Sequence, residues 1–365
     1  MSLTNRFVLE RDVLQKGLLG HEQVPDHFKE LFIISGYRVP GCSLIDCCVS
    51  VFKRNNETLN FWTHFLPAVY FCYITYCTWV DYDVWNDAYT WPLVVYMIGL
   101  CIFPLASAVA HVFNTLSDRA RHICFFLDYA ALSFFTVGVS IAYKTYIFPS
   151  DLLGGLWHQL FLPLAAMNAV VSLVITCQTR FMPNSIVKKV IRISAFALPY
   201  IYDSAPVIYR IVYCAGAECY APALYPHTYQ FIFGALATIV YVAHVPERFV
   251  PGRFDIVGHS HQFFHVFTIV SAYLQMSGLM LDMRDRRHEL LNADVTPAPL
   301  TSVSLMLGVL LFDACVLRHF IRALYRITPS DRAWSNLYGV ADARETVVVN
   351  GASRNVEVHA KNKQL

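Results

Sequence analysis

Charge is what this sequence has least of. Only 15% of its 365 residues are Asp, Glu, Lys or Arg, against roughly a quarter in an ordinary soluble domain. With 56% hydrophobic residues, such a chain cannot cover its own surface with polar groups, which excludes a soluble globular fold. The formal net charge of +2 says little about partners, because the distribution of charge matters more than its sum. No nucleic-acid footprint is visible. The N-terminal stretch has Arg6, Glu10, Arg11, Asp12 and Lys16 with no apolar core between them, so a cleaved signal peptide is not expected and insertion would use the first membrane helix. Paired zinc-ribbon spacing is missing among the eleven cysteines, which mostly lie in or beside apolar segments and read as buried free thiols. Cys214 and Cys219 flank a loop and can bridge where that loop faces an oxidising compartment. Cys47 and Cys48 precede the first span, a placement compatible with palmitoylation.

What the sequence does have is a series of apolar windows, each about 20 residues, long enough to cross a bilayer core as helix. Eight are read, at about 60–80, 91–113, 122–147, 153–177, 188–212, 226–245, 260–283 and 300–321. The expected fold is all-α, a polytopic membrane helix bundle. About residues 1–59 form an N-terminal segment, 60–321 the eight-span domain and 322–365 a polar tail. Lys and Arg near span ends set the orientation. Lys53, Arg54, Arg119, Arg121, Arg180, Lys188, Lys189, Arg248 and Arg253 share one side. The stretches DYDVWNDAYT and CAGAECYAPALY on the other side contain no Lys or Arg, and Arg284, Arg286 and Arg287 are the exception. Both termini are therefore expected in the cytosol. The sequon NET at Asn56 would then stay unmodified.

With this topology three histidines and a carboxylate from three spans share one depth near the cytosolic face. His111 ends span two, Asp128 lies one to two turns into span three, and His261 and His265 open span seven in HQFFH. Residues four apart lie on one helix face. Three imidazoles suit zinc, leaving a fourth tetrahedral position open as in catalytic sites. Asp128 is then the candidate proton acceptor and Ser107, one turn before His111, a supporting donor; these two are the candidate catalytic residues. The set is not the metalloprotease helix, since Gln262 stands where H-E-x-x-H carries its base. His64 and His244 are expected to hydrogen-bond locally, His122 and His259 to sit at water-exposed span starts. Asp203 and Arg210, seven apart in span five, either pair across the core or contact the polar end of a lipid ligand. Asp282 is read as part of a solvated helix end.

The segments NETLNFWTHFLP, SAVAHVF, ARHICFFLDYAALSFFTVGVSIAY, VPERFVPGRFD and GHSHQFFH continuing to LQMSGLMLDMRDRR closely resemble the progestin and adipoQ receptor family, in particular its membrane progestin receptor branch of gamma and delta type. The N-terminal GYRVP resembles the family's GYR ahead of the first span. The resemblance implies a seven-helix core with an added eighth span. It implies a zinc site near the cytosolic face made by His111, His261 and His265, with Asp128 as the water-binding carboxylate and Ser107 nearby. It also implies a plasma-membrane receptor for progesterone and related steroids, signalling through inhibitory G proteins and lowered cyclic AMP. The resemblance of adiponectin-receptor relatives to ceramidases raises an alternative, an intramembrane zinc amidohydrolase acting on ceramide-like lipids.

Overall fold

The structure, a computed structural model, describes residues 17–182, 186–215, 219–293 and 299–327. Eight long helices dominate it, here numbered α1 (Thr58–Asp81), α2 (Trp91–Phe113), α3 (Asp118–Ala142), α4 (Leu156–Thr179), α5 (Ile186–Tyr213), α6 (Leu224–Ala243), α7 (Ser260–Asp285) and α8 (Pro299–Ile327). They fall where the apolar windows place them; the largest difference is at α8, which runs on to Ile327 because its amphipathic end packs Phe320 and Leu324 against Phe126 and Leu173. Five of the eight, α2, α3, α4, α7 and α8, are long and apolar enough to cross a membrane on length and composition alone. Among the described residues no strand forms, and Leu19 and Tyr37 pair in a single isolated bridge.

Helices α1 to α4 pack each against the next, α7 closes back onto α1 and α6, and α8 lies outside against α3 and α4. The α2–α3 contact is close because glycines sit at the crossing. A Cβ at Gly99 would stand 3.0 Å from the Phe135 Cα, and one at Gly138 would stand 3.2 Å from the Tyr96 Cα. Small residues let backbones approach where no hydrophobic force drives helices together. Local chemistry sets the start of α3, where the Ser117 hydroxyl accepts the Ala120 amide at 3.1 Å. Pro67, Pro104, Pro163, Pro199 and Pro206 lie inside helices, tolerable where neighbouring helices resatisfy the backbone. In contrast, α5 touches α6 only slightly, and a cavity lies between them.

The stretch ahead of α1 is more than a polar leader. Leu19, Val24, Phe28, Ile33 and Tyr37 form a small core of their own, and this cap lies against the histidine end of the bundle. Asp255 holds it by accepting from the amides of Ile34 (3.2 Å) and Ser35 (2.7 Å). Arg38 of GYR fastens it to α2. Its Nη1 donates to Ser50 Oγ (2.8 Å) and the Val112 carbonyl (2.9 Å), and its Nη2 to the His111 carbonyl (2.6 Å) and Asn114 Oδ1 (2.5 Å). It thereby satisfies carbonyls that a helix C-terminus leaves without partners.

Candidate metal centre and its cavity

His111 ends α2, and His261 and His265 lie one turn apart at the start of α7. One ring nitrogen from each falls within 4.8 Å of the other two. The surroundings determine which nitrogen each presents. His111 Nδ1 lies 2.7 Å from Glu57 Oε2. An ionised carboxylate only accepts, so Nδ1 carries the hydrogen and Nε2 offers a lone pair. His265 Nδ1 lies 3.1 Å from the Asn60 carbonyl, which fixes the same tautomer, with Thr63 Oγ1 also at 3.1 Å. The Nε2 atoms of His111 and His261 are 3.3 Å apart. A tetrahedral ion with metal–nitrogen bonds of about 2.0–2.1 Å sets its ligand atoms about 3.3–3.4 Å apart, so this edge fits zinc.

Ser107 and Asp128 line the same cavity as the three histidines. Sequence reasoning missed Glu57 and Asn60, which orient His111 and His265. Asn114 Nδ2 donates to the other Glu57 oxygen at 2.8 Å, so this carboxylate is itself held. Glu57 lies inside the NET sequon, next to Asn56. The Asn56 side chain is 7% exposed, which leaves no room for a glycan in the folded chain.

The remaining histidines depart from expectation. His64 has no hydrogen-bond partner at either nitrogen; it stacks on His265 at 3.7 Å between ring centres, because the ring faces the cavity and leaves the backbone of its own helix. His259 is buried rather than wet, with Nε2 3.2 Å from the Asn56 carbonyl. Gln262 staples the loop before α7, accepting from the Gly258 amide (2.6 Å) and donating to the Ile256 carbonyl (2.9 Å). His244 bonds across to α5, its Nε2 2.8 Å from Lys189 Nζ.

Asp203 and Arg210 do not pair with each other. Asp203 accepts from Ser140 Oγ at 2.7 Å and lines the cavity. Arg210 makes a two-pronged pair with Asp282 (2.9 and 3.1 Å), which His227 joins at 3.0 Å. Asp282 is thus buried at 2% exposure, not part of a solvated end, because the last turns of α7 face α5 and α6. Beyond it, Tyr143 OH accepts from Gln230 (3.0 Å) and Gln275 (3.1 Å). Cys214 and Cys219 are joined as a disulfide in the α5–α6 connection, at the end of the bundle away from the histidines.

The cavity measures about 490 Å3. Its walls run from the histidine trio, past Phe103, Leu132 and Phe135, to Asp203 and Gln275.

Fold and site together define a polytopic helical membrane protein with a histidine cluster at one end of an internal cavity. Residues 52–276 match the family described as haemolysin-III related. The chain is 40% identical over 336 residues to membrane progestin receptor gamma-B of Danio rerio, covering 85% of this chain and 95% of that one. It is 41% identical over 309 residues to membrane progestin receptor gamma of Mus musculus, covering 84% and 93%, and 40% identical over 275 residues to membrane progestin receptor delta of Homo sapiens, covering 74% and 80%. The chain belongs to the haemolysin-III-related family, among its progestin and adipoQ receptors.

Proposed function

We propose that the protein is a plasma-membrane receptor for progestin steroids, binding the ligand among α2, α3, α5, α6 and α7. The observation that carries this reading is the cavity, whose 490 Å3 falls within the roughly 300–1,000 Å3 usual for small-ligand sites and whose walls are largely apolar with polar groups at its two ends. The names of the relatives favour a progestin as occupant. Ligand binding would shift an equilibrium between helix arrangements only by its differential affinity for them; an inhibitory G protein, with lowered cyclic AMP, is the partner we assign to the readout. Both termini and the histidine end are assigned to the cytosol, and the Cys214–Cys219 disulfide supports an oxidising compartment at the opposite end. Tritiated progesterone binding to the purified chain tests the reading. Saturable binding lost in Ala237→Phe, which fills the cavity wall, is the expected result; no saturable binding to a monodisperse wild type overturns it.

A second reading is favoured by the histidine geometry, an intramembrane zinc amidohydrolase for ceramide-like lipids. His111, His261 and His265 would hold zinc, and Glu57 and the Asn60 carbonyl would fix the ring tautomers that leave lone pairs facing inward. Zinc bound there supplies Lewis-acid polarisation and acidifies water. Asp128 would receive a proton on its carboxylate, and the Ser107 hydroxyl would donate to a polar group of the substrate. Asp128→Asn is expected to keep the metal and abolish ceramide turnover; equal turnover removes Asp128 from the chemistry.

A further inference from the structure

The histidine end of the cavity also carries charges that neither the metal site nor a neutral steroid uses. Arg121 in the first turn of α3, Arg180 at the end of α4 and Arg192 in the second turn of α5 all line it. Arginines near the cytosolic face usually reach outward to water and headgroups; Arg121 is 5% exposed and does not. Its Nη2 donates to the His27 carbonyl at 3.3 Å, its guanidinium carbon stands 4.3 Å from the Phe28 ring centre, and its Nε is buried without a partner. Arg180 donates from Nε to His122 Nδ1 at 3.4 Å and lies 4.6 Å from the Phe125 ring centre; Arg121 approaches the same ring at 5.5 Å. Arg192 donates from Nε to Thr179 Oγ1 at 3.0 Å, and its Nη2 is buried without a partner. The hydroxyls of Tyr129 and Tyr241 stand beside Arg180 and Arg192.

Among the described residues no carboxylate comes within 4.0 Å of any of the three guanidiniums. Glu30, which lines the same cavity, faces all three from farther away, and Glu57 and Asp118 face Arg121. Arg121 repels Arg180, and Arg180 repels Arg192. Like charges gathered around a buried guanidinium are costly unless an anion offsets them. The guanidinium fork offers parallel N–H donors that match phosphate oxygens, and the two orphaned nitrogens are donors without an acceptor on the protein.

We propose that Arg121, Arg180 and Arg192 form a binding site for a phosphate monoester, with the apolar length of the cavity taking the chain of a lipid phosphate. A single carboxylate would engage one fork. A phosphate dianion has oxygens enough for all three. The proposal requires neither the steroid nor the metal reading, and its test is done on chelated, steroid-free protein so that it fails or succeeds separately from both.

The experiment measures equilibrium binding of octadecyl phosphate, octadecanol and inorganic phosphate to the full purified chain in nanodiscs of zwitterionic lipid. The expected result is octadecyl phosphate bound about tenfold or more tightly than octadecanol. Arg121→Gln and Arg180→Gln should each remove about tenfold from the phosphate affinity and leave that of the alcohol unchanged, with Lys at either position restoring part of the loss. Inorganic phosphate that competes at the same concentration supports the anion site and assigns it to the free ion; weak competition assigns it to a lipid. Equal affinity for octadecyl phosphate and octadecanol in wild type overturns the proposal, whether or not the Gln variants fold. An unchanged ratio in Gln variants that elute as wild type does so as well.

Discussion

Glu57 Oε2 stands 2.7 Å from His111 Nδ1, joining residues 54 apart in the chain. The contact makes His111 present Nε2 to the cluster. Partners of this kind typically account for 10–100-fold in metal affinity. Glu57→Gln is therefore expected to lower zinc affinity by about 10–100-fold: its one amide oxygen can still accept from His111 Nδ1, but its NH2 group then meets the Asn114 Nδ2 donor that Glu57 Oε1 accepts. Competitive chelator titration with metal analysis by mass spectrometry reads this directly. Zinc affinity equal to wild type would mean that Glu57 does not support the site.

Much of the fold was legible because membrane helices announce themselves by run length. The reading of span two at about 91–113 coincides with α2, Trp91–Phe113, since Pro92 and a long apolar run mark it locally. The histidine trio was legible for a similar reason: HQFFH puts two imidazoles on one face, and alternating topology brings His111 to the same end. What escaped depends on contacts that no periodicity encodes. Arg38 caps α2 from a position 73 residues before His111. Asp282 looks solvated beside Arg284, Arg286 and Arg287, and only the placement of α5 shows that its partner is Arg210. The N-terminal cap is similar, since its few apolar residues are too scattered to suggest a core before Asp255 closes the segment against the bundle.

The pair of Arg210 and Asp282 gives a stability prediction. Both side chains are 2% exposed, so removing one partner takes a two-pronged, fully buried ion pair away from the other. Asp282→Leu is expected to destabilise the bundle by about 3–5 kcal/mol. The double variant Arg210→Met with Asp282→Leu should recover most of that loss, since both members of the pair then leave together. Unfolding curves in mixed micelles compare them, and a double variant as unstable as the single one would locate the cost in lost packing instead.

Gly278 marks where α6 and α7 meet. A Cβ there would fall 2.6 Å from His227 Cε1, and His227 is held by Asp282 at 3.0 Å and by Gln230 at 3.3 Å. The imidazole has no free direction in which to yield. Gly278→Ala should thus cost about 1–3 kcal/mol. Gly308→Ala, with nothing within 4 Å of its Cβ, should be neutral or stabilise α8 by about 0.5–1 kcal/mol. Thermal melts of the two variants side by side separate the steric cost from helix propensity. Equal shifts would show that His227 moves aside.

His64 decides how many imidazoles the centre uses. It stacks on His265 with rings 13° apart, is 4% exposed, and both its nitrogens lack partners. Leaving a buried polar group unpaired costs about 1–3 kcal/mol, so His64→Phe, which keeps a ring of similar outline, should raise stability by about 1 kcal/mol if the histidine has no ligand to serve. The three ring nitrogens of His111, His261 and His265 already gather without it. Zinc content of His64→Phe is accordingly expected to equal that of wild type, while His265→Ala loses it. A His64→Phe protein that folds but carries no zinc would make His64 a fourth ligand. It would close the coordination position that the hydrolase reading needs, and leave zinc as a staple between α1, α2 and α7.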